Sequence, residues 1–207
     1  MLRRLLGIIV VLVLILPSYA CGGGGPVAPP GPDGTGRPAG YDLLFPTKVA
    51  RWDIAAFPLD VFIDAPPAIA GRYGSTMQMT AKETLTVWNG QISSATVLFR
   101  NTDNPDDADI TVRWQDDTKG AYTRAVDSDD HIAIHKIALS EELRDPARIR
   151  VLLGHELGHV LGLGHSQVNG DLMYPVLEPE KTSLTDRDRE MLKWLYDQDT
   201  YAPIRTY

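Results

Sequence analysis

Three histidines and three glycines at fixed spacing leave little conformational freedom to the stretch His155-Glu156-Leu157-Gly158-His159-Val160-Leu161-Gly162-Leu163-Gly164-His165. Residues four apart on a helix share one face, so His155 and His159 reach a common point only if this stretch is helical. Gly162 lets the chain leave the helix through a left-handed conformation closed to larger residues. Gly164 keeps the next turn tight, and His165 swings back toward the same point. Three neutral imidazoles around one point suit a tetrahedral zinc ion at about 2.0 Å, with the fourth position left to water. Glu156, beside the first histidine, is placed to take a proton from that water. A random chain of this length would carry the eleven-residue pattern on the order of once in a hundred thousand, which makes coincidence a weak explanation.

Around this stretch the patterning predicts an α+β domain. Leu59, Val61 and Ile63 alternate with Asp60, Phe62 and Asp64 as in a half-buried strand that ends at Pro66-Pro67. Ser75 with Gln78 is a candidate capping box. It opens a helix with Met77, Ala81, Leu85 and Trp88 on one face and a stop at Asn89-Gly90. Strands are expected near Thr96 to Arg100, Asp109 to Trp114 and His131 to Leu139. Asp145-Pro146 reads as an N-cap followed by proline at the first helical position, so the histidine helix should run from there to about Gly162. Thr185 with Asp188 three residues later opens a last helix carrying Met191, Leu192 and Leu195.

Met173 follows His165 by eight residues in Asp171-Leu172-Met173-Tyr174-Pro175. With the histidine stretch, this resembles the metzincin zinc peptidases. Within them the chain is most similar to matrixins, the branch of the matrix metalloproteinases. Ser166 directly after the third histidine, the Leu-Met-Tyr-Pro turn and Leu184-Thr185 with Asp188 before a helix ending Trp194-Leu195-Tyr196 carry this similarity, as does Ala108-Asp109-Ile110 upstream. It covers about Pro58 to Tyr196 and is specific from about Val151 onward.

The resemblance implies a twisted, mostly parallel sheet with an antiparallel edge strand, an active-site helix, a Met-turn and a C-terminal helix. It also implies an endopeptidase with one catalytic zinc on His155, His159 and His165, and Glu156 as general base. Met173 would form a hydrophobic floor under the ligands, while Tyr174 and Pro175 would line the pocket for the residue just after the cleaved bond. Astacin-like and serralysin-like metzincins carry a tyrosine ligand where this chain has Pro175, so none is expected. A polypeptide substrate is expected to lie extended and pair with the strand at Asp109 to Trp114.

The chain departs from matrixins in having no cysteine other than Cys21, so latency through a propeptide cysteine is not expected. The segment that in matrixins carries a structural zinc and calcium is shortened here to Lys119 to Leu139. His131 and His135 read as exposed-face histidines before they read as remnants of such a site. Asp127, Asp129 and Asp130, like Asp103, Asp106 and Asp107, read first as solvated turns, with calcium as the second candidate ion. The alternative to a protease, a non-catalytic zinc-containing envelope or adhesion lipoprotein, gives Glu156 no purpose.

Arg3 and Arg4 before the apolar run Leu5 to Leu16, then Ser18-Tyr19-Ala20, read as an export signal over residues 1–20. Cys21 and the following Gly22 to Gly25 resemble the start of a lipid-anchored bacterial protein, whereas Ser18-Tyr19-Ala20 also suits plain secretion. Both fates stay open, the envelope lipoprotein being favoured. Membrane contact is expected only through a lipid at Cys21. Residues 21–40 are a Gly/Pro-rich linker in this reading, and 41–207 the catalytic domain. The net charge of −7, or −9 once Arg3 and Arg4 are removed, argues against nucleic acid as a partner. A single cysteine excludes an internal disulfide, so the fold is expected to rest on its core, on metal, or on both; a monomer is expected.

Overall fold

The computed structural model describes residues 9–12, 36–116, 121–127, 132–178 and 183–206. The strands among them are β1 Ile9–Leu12, β2 Tyr41–Leu43, β3 Ala50–Arg51, β4 Leu59–Ile63, β5 Phe99–Thr102, β6 Ile110–Gln115, β7 Ala121–Asp127, β8 Ile132–Ser140, β9 Leu163–Ser166 and β10 Ala202–Arg205. The α-helices are α1 Gly74–Thr84, α2 Pro146–Val160 and α3 Asp186–Tyr196.

Strands β5, β4, β6 and β8 run parallel to one another, and β7 returns antiparallel along the far side of β8. Ile9–Leu12 pairs antiparallel with β7. β10 joins β8 in parallel beyond the end of β6 and also holds β3. This is the expected α+β class, with a mostly parallel sheet and antiparallel pairing at one edge. Parallel strands need long crossovers, and α1 and α2 lie in two of them, touching each other and the sheet. Val61, Ile110, Val112, Ile137 and Leu139 bury their side chains fully under these helices, each contributing about 1.5–3 kcal/mol through burial of apolar surface.

Two expectations need correction. Ser75 caps nothing, because α1 grows directly out of a 3-10 helix over Ala68–Tyr73 with Tyr73 at the N-cap position. The carbonyl of Gly71 already accepts from the amide of Gly74, so a side-chain cap has less to do. The strand at 110–115 is also no edge. It is hydrogen-bonded to β4 on one side and β8 on the other, so an incoming peptide finds no backbone groups there. The antiparallel β7 stands second from the margin instead, with Ile9–Leu12 paired outside it.

The two helices of the C-terminal third start as their sequences predict. The Asp145 side chain accepts from the amide of Ala147 at 3.0 Å and Pro146 follows, while Thr185 and Asp188 form a reciprocal capping box. α2 is buried from Val151 to Val160 on every side, which explains a pattern too apolar to show a polar face. Carbonyls at its C-terminal end are satisfied from outside the helix. Trp52 Nε1 donates to Val160 O at 2.7 Å and the Tyr196 hydroxyl to Leu161 O at 3.1 Å. Gly162 then turns at φ +99°, where an added Cβ would overlap the carbonyl oxygen of Ala50.

Candidate metal centre

His155 and His159 project from one face of α2, and His165 returns from β9, a short strand rather than an open loop. The three ring centroids lie 4.6, 4.9 and 5.3 Å apart, and the candidate ligand nitrogens all fall within 4.8 Å of one another. Two of the rings are aimed by the backbone. Nδ1 of His155 bonds the carbonyl of Leu172 at 2.7 Å and Nδ1 of His159 that of Leu163 at 2.8 Å. A carbonyl can only accept, so each Nδ1 carries the proton and each Nε2 keeps its lone pair. The Nε2 atoms of all three histidines are buried with no hydrogen-bond partner among the described residues. Burying unpaired acceptors costs free energy that a bound cation removes, and this donor set fits zinc.

The electrostatics agree with neutral ligands. Burial, and then the neighbouring His165, pushes the pKa of His155 down to about 3, against the raising effect of the Leu172 carbonyl. His159 is held well below its ordinary value by burial and by the other two histidines, and His165 is lowered by burial, with Asp42 opposing. These shifts set a pH dependence for the metal-free protein. Below about pH 6.5 the unfolded chain binds protons that the folded chain refuses, so stability is full above that pH and declines toward pH 3. His155 alone should remove about 1.4 kcal/mol per pH unit across that window. Thermal melts of chelator-treated protein from pH 7.5 to 4.5 measure it; a flat profile would contradict the buried neutral rings.

Glu156, next to His155 on α2, is fully buried. Met173 is too, against the helix. An added Cβ at Gly158 would overlap the Met173 Sδ and stand 2.9 Å from Trp88 Cζ2, so only glycine lets the Met-turn approach α2 here. Gly158→Ala should therefore cost about 1–3 kcal/mol, read as a lowered denaturation midpoint. Tyr174 and Pro175 follow on the surface side, each half-buried. Gly164 does more than tighten a turn: a Cβ there would overlap the carbonyl oxygen of Asp42, and its absence lets β2 pair with β9.

Asp188 plays a part that sequence patterning disclosed only as a capping residue. Its carboxylate, fully buried, receives the amides of Leu172 at 2.9 Å, Met173 at 3.3 Å and Thr185 at 2.8 Å, together with the hydroxyl of Tyr41. Burial, followed by the adjacent carboxylate, holds the Tyr41 phenol far above its ordinary pKa, so it stays a donor. Asp171 ties a second knot beside it, accepting from the Thr185 hydroxyl at 2.7 Å, Arg187 Nε at 3.0 Å and the Ser166 hydroxyl. The Met-turn, the third-histidine strand and α3 are thus fastened to one another around the ring of His155. An acidic residue at the third position of a helix was readable as half a capping box. Its reach to the Met-turn was not.

His131, Asp129, Asp130 and Cys21 lie outside the described residues, as does the side chain of His135. Among the described residues no second group of metal-ligating side chains accompanies the three histidines, and no helix is long and apolar enough to cross a membrane.

A buried three-imidazole cage with a carboxylate beside it makes a candidate metal centre. Residues 144–197, which supply most of that centre, match the family model described as Matrixin. Metalloendoproteinase 2-MMP of Arabidopsis thaliana is 48% identical over 44 residues, 20% of this chain and 12% of that protein. The chain therefore spans only a small part of the curated relative it matches. Both matches support a matrixin-like metzincin and, through the family, zinc as the metal.

Proposed function

We propose that this chain is a zinc-dependent endopeptidase of the matrixin-like type, with zinc on Nε2 of His155, His159 and His165. The observation that carries the reading is the set of three buried, unpartnered Nε2 atoms, two of them aimed by backbone carbonyls, within the segment that matches the matrixin family. Zinc held there supplies a Lewis acid that polarises the scissile carbonyl and acidifies water. Glu156 takes the proton of the attacking water on its carboxylate and returns it to the leaving amine. Met173 and Trp88 exclude solvent beneath the histidines. The outer edge of β7 is the backbone ladder offered to an extended peptide, and it becomes available when the export signal that contains Ile9–Leu12 is removed.

The exported protein acts from the cell envelope through a lipid on Cys21; intact mass separates this from plain secretion. Activity is tested by digesting casein with zinc-loaded protein, with and without a hydroxamate chelator, while zinc per chain is assayed. Internal cleavage that the chelator abolishes, at about one zinc per chain, is expected. Zinc binding without any cleavage would turn the reading toward a binding protein, and failure to bind zinc would end it.

A further inference from the structure

His155 and His159 each have a backbone carbonyl to aim the ring, whereas the ring of His165 makes no hydrogen bond among the described residues. The third candidate ligand is therefore placed by its backbone, which leaves α2 through the hinge at residues 160–162. Segment 50–52 is the mould of that hinge. The carbonyl oxygen of Ala50 stands where a Cβ on Gly162 would fall, and Trp52, buried, donates from Nε1 to Val160 O at 2.7 Å. The Tyr196 hydroxyl donates to Leu161 O at 3.1 Å, so three consecutive residues are gripped from outside the helix.

The mould is itself held by residues 198–205, which lie beyond the family-matched stretch 144–197. The amide of Ala202 donates to Val49 O at 2.8 Å, and β10 runs parallel to β3 with Ala202 opposite Ala50 and Pro203 opposite Arg51. Arg51 is buried and donates from Nη2 to Gln198 O at 3.0 Å. The Tyr201 ring centre lies 3.6 Å from the guanidinium carbon of Arg51, and the Tyr201 hydroxyl donates to Asp53. One residue of the tail thus grips both neighbours of Trp52. Ile204, buried, fastens the tail in turn to β8. We propose that the tail 198–204 is a positioning element for the metal centre: through Arg51 and Trp52 it fixes the hinge that delivers His165. A ligand with no guide on its own ring depends most on such support, because any freedom of the hinge must be given up when the metal binds. The inference rests on the zinc reading and needs no peptidase activity.

The test measures zinc Kd by competition with a chromogenic chelator, at a temperature where the metal-free protein is folded, for wild type, Trp52→Phe, Arg51→Met and Tyr201→Ala. Each protein is also loaded with cobalt(II), whose visible absorption reports ligand geometry, and melted without metal. Trp52→Phe keeps an aromatic ring and loses the donor to Val160, so zinc should bind about tenfold more weakly, the low end of the loss seen when a group that orients metal ligands is removed. Arg51→Met and Tyr201→Ala should weaken zinc in the same sense and alter the cobalt spectrum. Phe99→Leu, in β5 at the opposite edge of the sheet, is the control. It should lower the melting temperature of the metal-free protein and leave both metal readouts at wild-type values. If Arg51→Met fails to fold, the other two variants decide. Variants that lose thermal stability but keep the wild-type zinc Kd and cobalt spectrum overturn the positioning role alone. Wild type that binds no zinc overturns the metal reading and this inference with it.

Discussion

Glu156→Gln should keep zinc at wild-type stoichiometry and lower kcat for peptide hydrolysis by about 10²–10⁴-fold, the usual contribution of a positioned general base. The amide preserves the shape of a fully buried side chain, so the fold and the ligand cage have no reason to change. What is lost is the ability to accept a proton from the attacking water and to pass it to the leaving nitrogen. KM should move little, because the carboxylate acts on the reacting atoms rather than on the bound peptide. Zinc content, melting temperature and steady-state kinetics on one preparation decide the matter. Full activity in the variant would remove Glu156 from its assigned role, and loss of zinc would show that the residue supports the cage.

The second large effect is expected at Asp188, which never touches substrate. Asp188→Ala leaves four donors from three separate segments buried without an acceptor, namely the amides of Leu172, Met173 and Thr185 and the hydroxyl of Tyr41. Each unsatisfied group costs about 1–3 kcal/mol, and with partial relaxation the total should reach about 3–5 kcal/mol. For a domain of this size that is a fall in Tm of roughly 10 °C. Tyr41→Phe removes a single donor and leaves the carboxylate three amides, so it should cost about 1 kcal/mol. Zinc affinity should fall with Asp188→Ala as well, since Leu172 bears the carbonyl that aims His155. Equal stability of the two variants would mean that the carboxylate is no hub.

How far the sequence revealed this arrangement depends on the range of the interactions involved. α2 and α3 could be read because their start signals are local: Asp145 with Pro146, and Thr185 with Asp188, each act within one helical turn. β4 showed itself by strict alternation over five residues. The start of α1 was misread because a preceding 3-10 turn provides what a cap would, and nothing at Ser75 signals that. β2, β9 and β10 are three or four residues long, too short for periodicity, and β9 contains the glycine that usually argues against a strand. That β6 lies inside the sheet is decided by β4 and β8 taking both its edges, a matter of topology rather than composition. The candidate site was legible where one stretch carries it, from His155 to His165. The Tyr41–Asp188–Leu172 chain joins residues up to 147 apart, and each of them has an ordinary local explanation.

The two helical ligands differ in where their orientation comes from. His159 is steadied by Leu163, four residues away and inside the eleven-residue stretch, whereas His155 depends on Leu172, which Asp188 holds in place. Grafted alone onto a foreign helix, residues 155–165 would carry one histidine with its guide and one without. A transplant that worked would have to bring the Met-turn and the first turn of α3 as well, which makes the smallest portable version of this centre a run of some three dozen residues rather than eleven.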